Sequence, residues 1–179
     1  YRYRTNVAKA SVKGVEAVVE LDWWKIIFSD ISIVSFRTFV NASYIDARYT
    51  DSKNTAFNDK LVEFVPPVTI KTGATFAYKK FSISYQYSFV QEHYTDATNA
   101  GKDNNGNLVF IPNAIIGTIP SYSVMDLSLK YEIDRIRFEG GVSNLTNQSY
   151  FTRRATGYPG PGIIPSAIRN YYFTIQLSL

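Results

Sequence analysis

The segment FSISYQYSFV, residues Phe81–Val90, shows most clearly how this chain folds. Its odd positions are apolar or aromatic and its even positions up to Ser88 are polar. Successive side chains of a β-strand point to opposite faces of the sheet, so this period of two predicts a strand with one apolar and one polar face. The segment is also long enough to cross a bilayer at a tilt, whereas strands in soluble proteins mostly span about 5–6 residues.

The same alternation recurs along the chain. It is clear in three further segments, Ser121–Tyr131, Arg135–Val142 and Asn170–Leu179, and weaker over about Thr5–Leu21, Ile33–Tyr49 and Val68–Lys79. The sequence therefore predicts an all-β protein with about seven strands. In the last strand we expect one row of side chains to face lipid, namely Tyr171, Phe173, Ile175, Leu177 and Leu179.

The connections between these strands alternate in length. Tight turns at Lys79–Lys80 and Glu132–Asp134 alternate with long polar stretches over 51–67, 94–120 and 153–168. Short turns at one end and long loops at the other are typical of an antiparallel transmembrane β-barrel. The connection Asp22–Ser32 carries Trp23 and Trp24 and leaves two interpretations open: a short helical turn at the membrane interface, or an extension of the flanking strands.

Composition narrows the class of protein. Aromatic residues make up 16% of the 179 residues, yet the mean hydropathy is only −0.14. No run approaches the roughly 18 apolar residues of a membrane helix. There is no cysteine for a disulfide or a zinc finger, and the net charge of +4 is too mild to indicate nucleic acid as a partner.

The alternatives to an incomplete membrane barrel are a soluble β-sandwich or lipocalin-like barrel, and a complete eight-stranded membrane barrel. Because bacterial single-chain barrels have even strand numbers, seven strands favour an incomplete barrel.

Four segments resemble TonB-dependent outer-membrane receptors. SNLTNQSYF (143–151) resembles a late motif of that family, and IRNYYFTIQLSL (168–179) resembles its terminal strand. Upstream, NVAKASVKGVEAVVE (6–20) and FVPPVTIKTGATFAY (64–78) are similar to recurring strand motifs, in the family's order. YFTRRATGYPGPGIIPSAIR (150–169) most resembles receptors for ferric dicitrate and related iron complexes.

The resemblance implies a barrel of about 22 strands, filled by an N-terminal plug that carries the TonB box. Residues 1–179 would then be the C-terminal part of the barrel, about its last seven strands, and the plug domain would be absent from this chain. The terminal strand resembles a signal for the barrel-assembly machinery, although such strands usually end in Phe and this one ends in Leu179.

The function implied by the resemblance is active import of a ferric chelate, such as ferric citrate or a siderophore, across the bacterial outer membrane. The implied partners are TonB (through the plug), the ferric chelate, outer-membrane lipid and lipopolysaccharide, and the assembly machinery. The alternative is a passive or structural outer-membrane barrel without TonB coupling. We expect no cofactor and no nucleic acid.

The candidate ligand-binding residues are Arg153, Arg154, Tyr158 and Arg169, in the last long connection. Arginine carries a permanent charge and a planar fork that matches carboxylates, as an anionic chelate requires. Prolines and glycines punctuate the same stretch and favour a stiff, sharply turning loop. Other roles remain open: arginines at a barrel rim also pair with loop acids or lipopolysaccharide phosphates, and Arg169 could instead pin the last strand.

Nothing in the sequence indicates catalysis or a metal site, and we expect the protein not to be an enzyme. The single histidine, His93, is interpreted as a solvated or girdle residue because no partner for metal binding or general-base chemistry is evident. On the polar face of the sheet we expect salt bridges or plug contacts by seven charged residues: Arg37, Lys71, Asp126, Lys130, Arg135, Arg137 and Glu139.

Overall fold

A computed structural model describes residues 8–28, 33–103, 105–107, 109, 115–155 and 162–178. Seven strands form the main sheet: β1 Lys9–Asp22, β2 Val34–Asp51, β3 Val68–Tyr78, β4 Phe81–Val90, β7 Tyr122–Ile133, β8 Ile136–Ser143 and β11 Asn170–Leu177. Two short hairpins lie in the long connections, β5 His93–Tyr94 with β6 Thr118–Ile119, and β9 Phe151–Ala155 with β10 Gly162–Pro165. A helix, α1 Trp23–Phe28, and a 3-10 turn, Thr55–Phe57, complete the described elements.

The main sheet is an antiparallel meander in the order β1-β2-β3-β4-β7-β8-β11. Each strand pairs with the next long strand along the chain, which confirms the predicted all-β fold and its seven strands. Within the described residues, β1 and β11 are the two edges, and the sheet does not close on itself. Between β1 and β2, the helical interpretation of the tryptophan-containing connection is confirmed by α1. No helix among the described residues is both long enough and apolar enough to span a membrane.

The strand register keeps the two faces of the sheet chemically distinct from β2 to β11. Directly opposed residues share a face, and one cross-strand row is apolar throughout: Phe36, Phe76, Ile83, Leu129, Gly140 and Phe173. The adjacent row on the other face is mostly polar: Arg37, Thr75, Ser84, Ser128, Gly141 and Tyr172. A slip of one residue in any pair would exchange the two rows, so the alternation of the sequence fixes the register.

The apolar face is uncovered. Side chains that a soluble protein would bury are largely exposed there, including Val15 (68%), Tyr44 (57%) and Phe173 (68%). Contiguous apolar surface of this kind marks an interaction with another protein or with a membrane. In β11, Tyr171, Phe173, Ile175 and Leu177 lie on this face and are 60–68% exposed, while Leu179 lies outside the described residues. That the row contacts lipid stays a prediction.

The buried residues lie instead at the end of the sheet where the long connections meet. Apart from Gly73 in the middle of β3, the buried residues of the described part of the chain are Ala47, Tyr49, His93, Gly117, Thr118, Ile119 and Asn144. The long connections, predicted only as polar loops, thus form a small core of their own. Their short strands escaped prediction because segments of two to five residues carry too little alternation to stand out among glycines and prolines.

Gly141, on the polar face of β8, provides a test of how closely the neighbouring strands pack. A Cβ at Gly141 would lie 2.6 Å from Cε1 of Tyr172 and 2.7 Å from the carbonyl oxygen of Leu127, whereas a Cβ at Gly140 would meet atoms only at 3.5 Å. We expect Gly141→Ala to lower the free energy of unfolding by about 1–3 kcal/mol through overpacking. The neighbouring Gly140→Ala should change it by less than about 0.5 kcal/mol. Urea titration of the full receptor, followed by circular dichroism, measures both; equal losses would contradict the packing argument.

Candidate functional site

The three long connections meet at one end of the sheet. We call the described parts of 52–67, 91–121 and 144–169 the loop cluster. The first two connections are joined by backbone and side-chain hydrogen bonds. Phe64 N donates to Tyr94 O at 2.8 Å, and the Asn99 side chain both accepts from Leu61 N (2.7 Å) and donates to Leu61 O (2.8 Å). Asn99 holds this bidentate position with a φ of 53°, a conformation that asparagine tolerates better than most residues.

The second connection is organised around the β5–β6 hairpin. Thr95 N donates to Gly117 O at 3.1 Å, and Gly117 N donates to the Thr95 hydroxyl at 3.0 Å. Within this hairpin Ile119 is fully buried and His93 is 7% exposed. The interpretation of His93 as a solvated or girdle residue is therefore wrong: its ring packs into the loop cluster, with Nδ1 3.0 Å from the carbonyl oxygen of Gln91. A strand-to-loop boundary in the sequence does not reveal that a later segment returns to cover it.

Arg154 joins the second connection to the third. It lies in β9, and its Nη2 and Nε donate to the carbonyl oxygen of Thr118 at 2.9 and 3.3 Å. The guanidinium carbon also lies 5.3 Å from the centre of the Phe151 ring, within cation–π range. Burial lowers the pKa of Arg154, but a guanidinium stays charged at neutral pH. Arg154 therefore acts within the protein as a bridge between two loops.

Arg153 is placed differently. In the β9–β10 hairpin Arg153 is opposed by Ile164 and Arg154 by Ile163, so the two arginines point to opposite faces. Arg153 is exposed, and within the described part of the chain its side chain forms no hydrogen bond or ion pair. The predicted pair is thus split into a bridging arginine and an exposed one. Tyr158, the third candidate, lies outside the described residues.

Arg169 is joined to the turn that follows β8. Its Nη2 donates to the carbonyl oxygen of Leu145 at 2.7 Å, and its backbone N–H donates to Oδ1 of Asn147 at 3.0 Å. These bonds fix the chain just before β11 begins, the placement expected of a residue that pins the last strand. Its role in ligand contact stays a prediction, as does that of Arg153.

The turn that follows β8 also depends on Asn144, which was not among the candidate residues predicted from the sequence. Asn144 is 3% exposed, has a φ of 54°, and donates from Nδ2 to the carbonyl oxygens of Gln148 (2.8 Å) and Ala167 (3.3 Å). Its Oδ1 accepts from Gln148 N at 2.8 Å, and its own N–H donates to Asp126 Oδ1 at 2.9 Å. The available signal is the segment SNLTNQSYF, whose resemblance to a late family motif draws attention to Asn144, the residue at which the chain leaves β8 and begins a turn.

A family model supplies the identity of the chain. The model described as TonB dependent receptor-like, beta-barrel, matches residues 1–145. The chain belongs to this receptor family. No curated protein sequence matches it significantly.

Solved structures of transporters and uptake receptors share the fold of this chain. The ferric citrate transporter FecA in its unliganded form is 18% identical, with a TM-score of 0.76 over 94% of this chain and 24% of that one. The ferric yersiniabactin uptake receptor FyuA from Yersinia pestis is 18% identical, with a TM-score of 0.71 over 96% and 24%. The copper transporter OprC is 17% identical, with a TM-score of 0.66 over 98% and 24%. The chain thus spans about a quarter of the length of these proteins.

In this TonB-dependent receptor, the polar face carries a network of charges near the short turns. Glu132 accepts from Lys130 Nζ and Arg137 Nε, each at 2.8 Å, and Arg137 also donates to Gln176 at 3.2 Å. Salt bridges on this face were predicted for Lys130 and Arg137, but their shared partner Glu132 was not. Its alternation with Tyr131 marks it as a polar-face residue, which is the signal that could have found it. Arg135 lies in the turn between β7 and β8.

The polar face and the loop cluster each carry a cavity. Among the described residues, no three His, Asp, Glu or Cys side chains gather as a metal site would require. The polar face does hold a shallow cavity of about 210 Å³, lined in part by Gln86, Asp126, Ser128 and Tyr172. At the loop-cluster end, the Tyr122 and Tyr150 rings stack at 4.7 Å beside a smaller cavity.

Proposed function

We propose that this chain forms wall and external loops of an outer-membrane receptor that actively imports an anionic ferric chelate. The observation that carries the proposal is the match to the receptor family over residues 1–145. The uncovered apolar face of the sheet supports a membrane location, because apolar strands facing lipid and polar strands facing the lumen are the pattern of such barrels. The loop cluster then lies on the extracellular side and the short turns on the periplasmic side.

Under this proposal the chain is the C-terminal part of a barrel whose plug and TonB box lie elsewhere in the receptor. TonB would act through the plug, and outer-membrane lipid, lipopolysaccharide and the assembly machinery would contact the wall. The protein would work as a transporter and not as an enzyme. The structural likeness covers about 24% of each of the similar chains, which supports the proposal that this chain is one part of a larger receptor.

Ferric citrate is the first substrate to test. One similar structure is a ferric citrate transporter and another a ferric yersiniabactin receptor, and both substrates are iron complexes. The exposed guanidinium of Arg153 suits an anionic complex with carboxylate oxygens, because arginine binds carboxylates through two parallel hydrogen bonds. A copper transporter shares the same fold, so the fold itself does not select the metal.

The deciding experiment is uptake of radiolabelled ferric citrate by bacteria that produce the full receptor. We expect accumulation that requires both TonB and the proton gradient of the inner membrane. Accumulation that continues unchanged without TonB would favour a passive barrel. Absence of uptake for ferric citrate and for a panel of siderophore complexes would reject import of ferric chelates.

Arg153→Ala tests the ligand site. We expect it to raise the Kd for ferric citrate about 10- to 150-fold, because a hydrogen bond to a charged group contributes about 1.5–3 kcal/mol. Arg153→Lys should recover only part of this loss, since lysine keeps the charge but not the fork. Equilibrium binding to the purified full receptor measures the effect. Lys53→Ala, which removes an exposed cation elsewhere in the loop cluster, is the control; an equal loss there would mean that only net charge matters.

A further inference from the structure

Helix α1 and the residues beside it form a surface that the transport proposal leaves unexplained. We propose that α1 is an interfacial anchor that lies in the headgroup region of the bilayer, at the short-turn end of the sheet. This inference rests on the proposed membrane location of the sheet. It adds a lipid-binding element to a connection that, in a barrel of this kind, needs only a short turn.

The start of α1 is fastened to the apolar face. Trp23 Nε1 donates to the Thr38 hydroxyl at 2.8 Å, and Thr38 shares the apolar face with Leu21 and Ala74 by strand register. Asp22 caps the helix by accepting from Lys25 N at 3.2 Å. Asp22 is the last residue of β1 that pairs with β2, and α1 begins at the next residue, Trp23.

The surface of α1 is apolar and exposed. Its sequence is WWKIIF, with Ile26 61% exposed, Ile27 62% and Phe28 50%. The Trp24 and Phe28 rings contact each other at a tilt of 36°, with ring centres 4.5 Å apart, which holds the aromatic side of the helix together. A six-residue helix that exposes this much apolar surface to water would be unfavourable, at about 25 cal/mol for each Å² left uncovered.

The neighbouring residues at the same end of the sheet indicate lipid as the cover. From β3 to β8, one cross-strand row on the apolar face is aromatic, with Tyr78, Phe81, Tyr131 and Phe138, and it continues to Val34 and Ile175 in the flanking strands. Lys79 Nζ lies 5.3 Å from the centre of the Tyr78 ring, so a cation sits beside the aromatic row. Tryptophan and tyrosine are enriched where the bilayer meets water, and lysine there reaches lipid phosphates.

The apolar surface of α1 is continuous with the apolar face of the sheet, and this favours lipid over a protein partner as its cover. The apolar surface of α1 passes, through Trp23 and Thr38, directly into the face that the receptor would present to the acyl chains. An amphipathic helix in this position lies in the plane of the interface, with its apolar side buried about 5–10 Å. A protein partner on α1 would have to displace lipid from the adjoining strands as well. The occupant we infer is therefore the phospholipid leaflet.

The test measures depth with spin labels on the full receptor, reconstituted in vesicles of phosphatidylethanolamine and phosphatidylglycerol. The chain has no cysteine, so single cysteines can be introduced at chosen positions once any others in the receptor are replaced. Labels at Ile27→Cys, Phe173→Cys and Lys53→Cys are compared by their collisions with oxygen, which enriches in lipid, and with a water-soluble nickel chelate. We expect Ile27 to favour oxygen but at a shallower depth than Phe173, and Lys53 to favour the nickel chelate.

The outcomes separate the two hypotheses. If Phe173 favours oxygen while Ile27 favours the nickel chelate, the anchor is rejected and the membrane barrel stands. If Ile27 is shielded from both reagents, protein covers α1 and the inference is also overturned. If Phe173 itself favours the nickel chelate, the proposed membrane location fails.

Discussion

Replacing Phe173 with arginine is expected to destabilise the receptor in the membrane by about 2–4 kcal/mol if the site lies near the bilayer midplane. Phe173 is 68% exposed on the apolar face of β11 and stacks on Phe138 with ring centres 6.5 Å apart. If this face contacts lipid, an arginine there must carry its charge into hydrocarbon and also loses the aromatic contact. Denaturant titration of the full receptor in phospholipid vesicles, followed by its slowed gel mobility on unfolding, measures the loss.

The adjacent residue offers a matched control. Thr174 is the next residue of the same exposed strand, but it points to the polar face and lies opposite Glu139. Thr174→Arg adds the same charge one residue away, beside a carboxylate that can pair with it. We expect it to change the free energy of unfolding by less than about 0.5 kcal/mol. Equal destabilisation by both substitutions, or tolerance of both, would contradict the assignment of the faces.

The contrast between these two residues explains why the strands could be predicted from the sequence. A strand that separates lipid from a polar lumen needs apolar and polar side chains at alternate residues. This alternation can be recognised within the segment itself, without knowledge of its neighbours in the fold. Phe81–Val90 was predicted with the bounds that β4 has in the structure. The helix α1 was one of two open interpretations, because six residues are too few for a helical period to be distinguished from a continuing strand.

The loop cluster could not be predicted in the same way, because it depends on contacts between distant residues. Arg154 meets Thr118, 36 residues away, and Asn99 meets Leu61, 38 residues away. Neither pair has a periodic signal. The sequence identified Arg153 and Arg154 as candidates by residue type, but it could not show that a short hairpin turns their side chains to opposite sides.

Asn144→Ala is expected to release the third long connection from the sheet, at a local cost of about 2–4 kcal/mol. Its side chain makes three hydrogen bonds to backbone groups at a site only 3% exposed. A buried group left without a partner costs about 1–3 kcal/mol. Because alanine also fits poorly at a φ of 54°, part of the loss is backbone strain.

Asn147→Ala separates these two contributions. Asn147 has the same φ of 54° but is exposed, and its side chain accepts one hydrogen bond, from Arg169 N. The two alanine variants therefore introduce the same backbone strain, but only Asn144→Ala removes buried hydrogen bonds. Amide hydrogen exchange at Gln148 in the full receptor should accelerate about 30- to 1,000-fold in Asn144→Ala, since each 1.4 kcal/mol is a factor of ten. In Asn147→Ala the change should be well below that.

The proposed ligand site at Arg153 should respond to the same release of the third long connection. β9 and Arg153 follow this turn, so we expect Asn144→Ala to raise the Kd for ferric citrate although Asn144 itself is buried beneath the loop. Faster exchange at Gln148 with an unchanged Kd would show that Arg153 is held by its own hairpin rather than by the turn. Equal exchange in the two alanine variants would instead mean that backbone strain, and not the buried amide, governs this loop.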